Sequence, residues 1–247
     1  MFNPCVVIPV YNHENGVGSV ATAVVAQSLP CILVDDGSSP ACAALLDRLA
    51  QGTSSAITLL RHPINRGKGA AVLTGIKHAA QAGYSHAVQI DADGQHCPSD
   101  IPRFLKLAAE HPQALIVGCP KYDGTVPALR FYARYLTHLW VSINTLSRQI
   151  KDSMCGFRVY PLPAIIDLAQ RRNLGERMSF DIEVLVRLYW EGIEIIDVPT
   201  QVSYCGDNVS HFRGWLDNVL ISRAHATLFF GMLWRLPILI ARRRSAP

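Results

Sequence analysis

Short β-branched runs alternate with helical stretches through the first hundred residues, and that alternation predicts the fold. Cys5-Val6-Val7-Ile8-Pro9-Val10 is an apolar run of strand length, and the polar segment Tyr11-Asn12-His13-Glu14-Asn15 separates it from a helical stretch reaching about Gln27. Cys31-Ile32-Leu33-Val34 repeats the order, followed by the turn Asp35–Ser39 and by Pro40 at a first helical position before Ala41–Gln51. Ile57–Leu60 leads through Asn65-Arg66-Gly67-Lys68-Gly69 into a small-residue helix ending near Ala82. The fourth run, Ala87-Val88-Gln89-Ile90, stops at Asp91-Ala92-Asp93-Gly94-Gln95-His96, with a helix starting near Pro98. Strand–loop–helix units in series predict a parallel sheet with right-handed crossovers and helices on both faces. Ligands of such sheets lie at the carboxyl ends of the strands, where these polar loops would gather.

The second half is less regular. Ala114–Gly118 reads as a fifth strand, Leu129–Leu146 as a long amphipathic helix, Gly156–Tyr160 as a strand entered from Asp152, Phe180–Trp190 as a helix, and Ile193–Val202 as an extended segment interrupted at Pro199. From Phe212 to Ile240 apolar residues first keep helical spacing and then run nearly continuously. Arg235 and Pro237 interrupt that run, and a spanning helix needs about 20 apolar residues, so the expectation is an amphipathic helix lying in a membrane interface. The competing expectation is a helix packed on the domain's own core.

Charge strengthens the first of these. The formal net charge is +4, yet the segment from Asn208 onward holds six arginines (213, 223, 235, 242, 243 and 244) against the single acid Asp217. A basic tail beside an apolar helix suits an anionic lipid surface rather than nucleic acid, which more often meets basic and aromatic residues spread over a folded face. The predicted division is therefore a domain over 1–207 and a membrane-surface segment over 208–247. Seven scattered cysteines without a Cys-x-x-Cys pair argue against a disulfide framework or a zinc site, and no secretory leader is visible at the start. A cytoplasmic location is expected.

Several motifs almost fit. Gly16-x-Gly18 with Asp35 has the spacing of a dinucleotide fingerprint and keeps a nicotinamide-dependent oxidoreductase open, although five polar residues separate the strand from the first glycine. A non-catalytic sugar-nucleotide-binding scaffold is the other alternative. Gly67-Lys68-Gly69 lacks the remainder of a P-loop, His13-Glu14 lacks the second histidine of a metalloprotease helix, and no serine sits in Gly-x-Ser-x-Gly. An EF-hand fails too, because Gly94 is fourth and Pro102 twelfth in the loop. Asp91 and Asp93, one residue apart at a strand end, can share a hard divalent cation, or Asp93 or Ser99 can cap the following helix.

Taken in order, Ile8-Pro9-Val10-Tyr11-Asn12-His13-Glu14, Val34-Asp35-Asp36-Gly37-Ser38, Asn65–Gly69, Asp91–His96 and Asp152-Ser153-Met154-Cys155-Gly156-Phe157-Arg158 resemble the family 2 glycosyltransferases of the GT-A fold. The polyprenyl- and dolichyl-phosphate mannose and glucose synthases are similar in order and spacing over residues 5 to about 212. The resemblance implies an α/β GT-A, Rossmann-like, mostly parallel sheet sandwiched by helices, and an inverting transfer of a hexose from a nucleotide sugar to a lipid-like acceptor at the inner face of a membrane. It implies that Pro9, Tyr11 and Glu14 line the nucleotide site and that Val34 and Asp36 hold base and ribose. Asp91 and Asp93, with Ala92 between them, Gln95 nearby and Lys68 on the substrate side, would hold Mg2+ or Mn2+ against the donor diphosphate. Asp152 becomes the candidate general base, needed only for a hydroxyl acceptor, or else a turn cap. Arg158 would pair with Asp152, with acceptor phosphate, or in a structural ion pair. The chain departs from the mannose synthases at three cationic positions, which here read Pro120-Lys121, Cys205 and His211. Lys121 and His211 are the expected substitutes for phosphate contacts.

Overall fold

The computed structural model of the chain describes residues 1–52, 56–121, 128–202 and 214–245. Seven strands form one sheet: β1 (Pro4–Val10), β2 (Cys31–Asp35), β3 (Ile57–Arg61), β4 (His86–Gln89), β5 (Leu115–Lys121), β6 (Arg158–Pro161) and β7 (Ile195–Gln201), in the order β3-β2-β1-β4-β6-β5-β7. β1 runs parallel to β2 and β4, β2 parallel to β3, and β5 parallel to β7, whereas β6 is antiparallel to both β4 and β5. The mostly parallel sheet expected from the sequence is present, with one reversed strand at its centre. That reversal matters for the site: Gln89 at the end of β4 is level with Arg158 at the start of β6, so the Asp152–Phe157 loop arrives at the same rim as Asp91.

Strand residues bury both faces, as expected for sheets covered by crossover helices. Successive β1 side chains divide between two cores: Cys5 and Val7 join one, and Val6, Ile8 and Val10 the other. The second core is closed by α1 (Glu14–Val25), α2 (Pro40–Gly52) and α4 (Ile101–Glu110), through residues such as Val20, Leu46 and Phe104. The first is closed by α3 (Lys68–Gln81), α5 (Ala128–Thr145), α6 (Leu162–Arg171), α7 (Phe180–Trp190) and α8 (Gly214–Ser245). Pro98–Asp100 forms a short 3-10 turn ahead of α4. α6 is a helix that hydrophobic patterning did not predict. Its Pro163 stands in the first turn, where the missing N–H costs nothing, and Leu162, Ile165 and Leu168 face the core.

The C-terminal segment corrects one expectation, that Arg235 and Pro237 interrupt it. α8 is an unbroken helix through Arg235 and Pro237, about 48 Å long at 1.5 Å per residue, and by length and composition it is sufficient to cross a membrane. One proline removes a single backbone donor, which a long packed helix tolerates. It is also docked: Ile221, Leu228, Met232 and Leu239 enter the core shared with α5 and α7. Its opposite side exposes Trp215, Leu216, Val219, Phe230, Leu233, Trp234, Ile238 and Ile240, continuing a strip of Tyr135, Leu136, Leu139 and Trp140 on α5. Two of the tail's cations are engaged internally, Arg235 over the Trp190 ring at 4.6 Å and Arg242 donating to the Tyr189 and Trp190 carbonyls at the end of α7. The side chains of Arg243 and Arg244 lie outside the described residues, as do Cys205 and His211.

The two sides of α8 should respond differently to truncation. Leu228→Ala is expected to cost about 3 kcal/mol in urea unfolding because it opens a cavity, whereas Phe230→Ala should stay within about 0.5 kcal/mol.

Candidate active site

The polar loops meet at the carboxyl ends of β1, β2 and β4. Pro9 and Val34 are register neighbours on β1 and β2, both buried, so they meet any ligand through the strand ends rather than as free side chains. Tyr11 is partly exposed beside them. Glu14 opens α1 and accepts a hydrogen bond from Ser39 Oγ at 3.1 Å, which joins the β1 and β2 loops. Gly37, at φ 71°, turns the β2 loop where a Cβ would lie 2.5 Å from the Ile64 carbonyl carbon.

Asp36 is buried and points inward. Its Oδ1 accepts from the Arg66 backbone N–H at 2.9 Å and contacts His62 Nδ1 at 2.7 Å. Its Oδ2 accepts from Asn65 Nδ2 at 3.0 Å and from the Gly67 N–H at 2.7 Å. With both oxygens engaged, this carboxylate fastens the loop ahead of α3. Asp35 is likewise spent on Arg61 and the Ser38 N–H.

That fastened loop delivers Lys68, whose Nζ lies 2.9 and 3.0 Å from the two Asp91 oxygens and 3.1 Å from Asp181 Oδ2. Burial alone would lower the Lys68 pKa, but Asp181 and Asp91 outweigh it and hold the ammonium charged. Burial would raise Asp91, and Lys68 outweighs it in turn, keeping that carboxylate ionised. Asp93 is pushed the other way, upward, by burial and by the neighbouring Asp91 charge. Its Oδ1 accepts the Gln95 backbone N–H at 3.0 Å. Ala92 is buried against α1, where Gly16 leaves no room for a Cβ: one would sit 2.4 Å from the Ala92 carbonyl oxygen. Gly16 lies inside α1, not at a strand-to-helix turn, which removes the dinucleotide alternative.

Asp91 and Asp93 offer hard oxygen ligands and the excess negative charge that a divalent cation relieves. Among the described residues no third His, Cys, Asp or Glu converges on them. Two carboxylates with the balance supplied by water and phosphate is the usual environment of Mg2+, so the residues fit such an ion.

In the loop ahead of β6, Asp152 is buried and saturated. Its Oδ1 accepts the Met154 and Cys155 backbone N–H groups at 2.9 and 2.7 Å, and its Oδ2 accepts from Arg134 Nε at 2.7 Å and Nη2 at 2.5 Å. His138 Nε2 stands 3.5 Å from the same oxygen. Burial raises its pKa, but His138 and Arg134 overcome this and hold the carboxyl at about 2. Arg158 pairs with neither Asp152 nor the opening. It is fully buried and donates to the carbonyls of Cys155, Ser153 and Asp181 at 2.9, 2.8 and 2.6 Å, so the structural alternative is the one realised. Lys121 is exposed at the end of β5.

The family model for glycosyl transferase family 2 matches residues 5–162. The chain belongs to that family. Family 2 relatives include a polyprenol monophosphomannose synthase of Mycolicibacterium smegmatis, 29% identical over 78% of this chain and 75% of its own length. A UDP-N-acetylglucosamine–dolichyl-phosphate N-acetylglucosaminyltransferase of Methanococcus voltae is 25% identical over 80% of this chain and 84% of its own. The fold is that of the glucosyl-3-phosphoglycerate synthase of Mycobacterium tuberculosis, with a TM-score of 0.66 over 94% of this chain and 80% of that one at 17% identity. The protein is thus a glycosyltransferase with a GT-A, Rossmann-like sheet.

Sequence motifs did not disclose Arg134, His138 or Asp181, each brought to the family 2 rim by a helix. Arg134 lies 18 residues before its partner and looks like any cation on an amphipathic helix. Asp181 sits in the first turn of α7, where an acid reads as a dipole partner.

The Asp152 pKa gives a signed prediction. A carboxyl lowered from 3.8 to about 2 adds on the order of 2 kcal/mol of stability above about pH 4, lost as pH falls through the folded value. Asp152→Asn should therefore lower urea-unfolding stability by at least that amount at pH 7, and the gap to wild type should narrow between about pH 4 and 2.

Proposed function

We propose that the protein transfers a hexose from a nucleoside diphosphate sugar to a lipid monophosphate, with Mg2+ or Mn2+ held at Asp91 and Asp93 and the work done at the cytoplasmic surface of a membrane. The observation that carries this reading is the state of Asp152. An ionised carboxylate with both oxygens occupied is a poor general base, whereas the Arg134 guanidinium it orders, with the His138 ring beside it, suits a phosphate. A phosphate acceptor needs no base, since its oxygen is already a nucleophile.

In this account a phosphate oxygen attacks the anomeric carbon, the bond from that carbon to the diphosphate oxygen breaks, and configuration inverts. The bound divalent ion would supply charge neutralisation on the departing diphosphate. Lys68 stands where it can add a second positive charge. Tyr11 and the ends of β1 and β2 take the nucleoside, Glu14 and Asp36 keep their loops in place, and Lys121 and His211 remain the proposed further phosphate contacts. Asp152 becomes the residue that aims Arg134 rather than the base. The lipid carriers in the names of two relatives, polyprenol monophosphomannose and dolichyl phosphate, support a lipid phosphate here.

The apolar strip on α5 and α8 supplies the lipid surface. Tyr135, Leu136, Leu139 and Trp140 flank Arg134 and His138 along one helix, so a lipid tail and its phosphate would meet consecutive turns of α5. The α8 tryptophans, Trp215 and Trp234, are 84% and 89% exposed and suit the headgroup region.

Two measurements test the reading. Sugar transfer from UDP- and GDP-hexoses should proceed to undecaprenyl phosphate and not to undecaprenol, should stop with EDTA, and should fall at least about 100-fold in Asp93→Asn. Equal transfer to the alcohol would contradict it. Trp215→Ser/Trp234→Ser should weaken sedimentation with anionic vesicles by at least about tenfold while leaving the thermal midpoint unchanged; unaltered sedimentation would remove α8 from the membrane.

A further inference from the structure

Asp181 lies outside every motif, is 4% exposed, and sits between two cations in a charge chain beneath the rim. Its Oδ2 is 3.1 Å from Lys68 Nζ, and its Oδ1 accepts from Gln89 Nε2 at 3.2 Å and stands 3.8 Å from Arg158 Nη1. The sequence of charges is Arg158, Asp181, Lys68, Asp91, alternating in sign and summing to zero. Lys68 spans both Asp91 oxygens, the atoms a cation would use. Gly156 covers the pair so closely that a Cβ would fall 2.2 Å from Asp91 Oδ2 and 2.6 Å from Lys68 Nζ. Asp91 therefore carries its own counter-cation.

We propose that Asp181 is a positioning residue that controls access to Asp91: by sharing the Lys68 ammonium it keeps Lys68 from pairing with Asp91 alone, and it receives the lysine when a nucleoside diphosphate and its divalent ion arrive. This rests on the divalent-ion reading above. Two consequences follow from the electrostatics. Asp91 is masked from a free divalent ion, since Lys68 already neutralises it. With Asp181 uncharged, Lys68 has one carboxylate left and masks Asp91 more strongly. Arg158 extends the effect to the acceptor loop, because the same guanidinium that faces Asp181 holds the Ser153 and Cys155 carbonyls.

Mn2+ binding to the purified full-length protein, followed through the free-ion EPR signal, tests this without turnover. In the absence of nucleotide, wild type is expected to bind Mn2+ weakly, and Lys68→Met/Asp181→Asn, which removes a neutral pair, at least tenfold more tightly. Equal affinities would overturn the proposal. Should the double variant not fold, Asp181→Asn alone decides: with saturating UDP its Mn2+ affinity should fall about tenfold while its metal-free UDP affinity stays within twofold. No fall would overturn the proposal. If wild type takes up no Mn2+ even with UDP, the divalent-ion reading fails first and this proposal with it.

Discussion

Gly156 packs against the Asp91–Lys68 pair with no room for a side chain, and most of the architecture serves that contact. A single added carbon at Gly156 would collide with both side chains, so the loop ahead of β6 and the carboxylate after β4 are held as one unit. Only a reversed strand brings them together. β6 enters the sheet antiparallel between β4 and β5, which places its leading loop at the rim where β4 ends. A parallel β6 would have sent Asp152 to the opposite edge.

Holding that contact requires charges to be buried, which is costly unless each is paired. The chain resolves this by alternation. Arg158, Asp181, Lys68 and Asp91 neutralise one another in series, and Arg134 does the same for Asp152. Asp36 uses a different device, accepting hydrogen bonds from the backbone and side chains of the loop that carries Lys68. The loops after β4 and ahead of β6 are therefore linked through ionic contacts as well as packing. α5 carries Arg134 and His138 into the rim and an apolar strip outward, so the same helix faces both the chemistry and the proposed lipid.

Much of the fold was legible because β-branched runs, polar loops and helical spacing agree over the first hundred residues. Phe180–Trp190 was readable to the residue from its apolar periodicity. α6 was hidden by Pro163, which resembles a helix breaker but stands in the first turn. α8 was misjudged for a related reason: Pro237 and Arg235 interrupt the apolar pattern without interrupting the helix. Among the site residues, motif order located the rim but not the direction in which its side chains point. Asp36 faces inward because of partners on the loop ahead of α3, Arg158 because of Asp181 together with the nearby Ser153 and Cys155 carbonyls, and Arg134 and Asp181 acquire their roles only when α5 and α7 pack. Spacing along a sequence carries no information on those pairings.

The central claim is that the carboxylates closing β4 receive the donor diphosphate with its divalent ion, level with the acceptor loop. Anomalous diffraction from crystals of the protein with UDP and Mn2+ tests it most directly. The account predicts a manganese peak within ligand distance of both Asp91 and Asp93, with Lys68 drawn from Asp91 toward Asp181 or the diphosphate. A manganese site elsewhere, or UDP bound away from the ends of β1, β2 and β4, would contradict it.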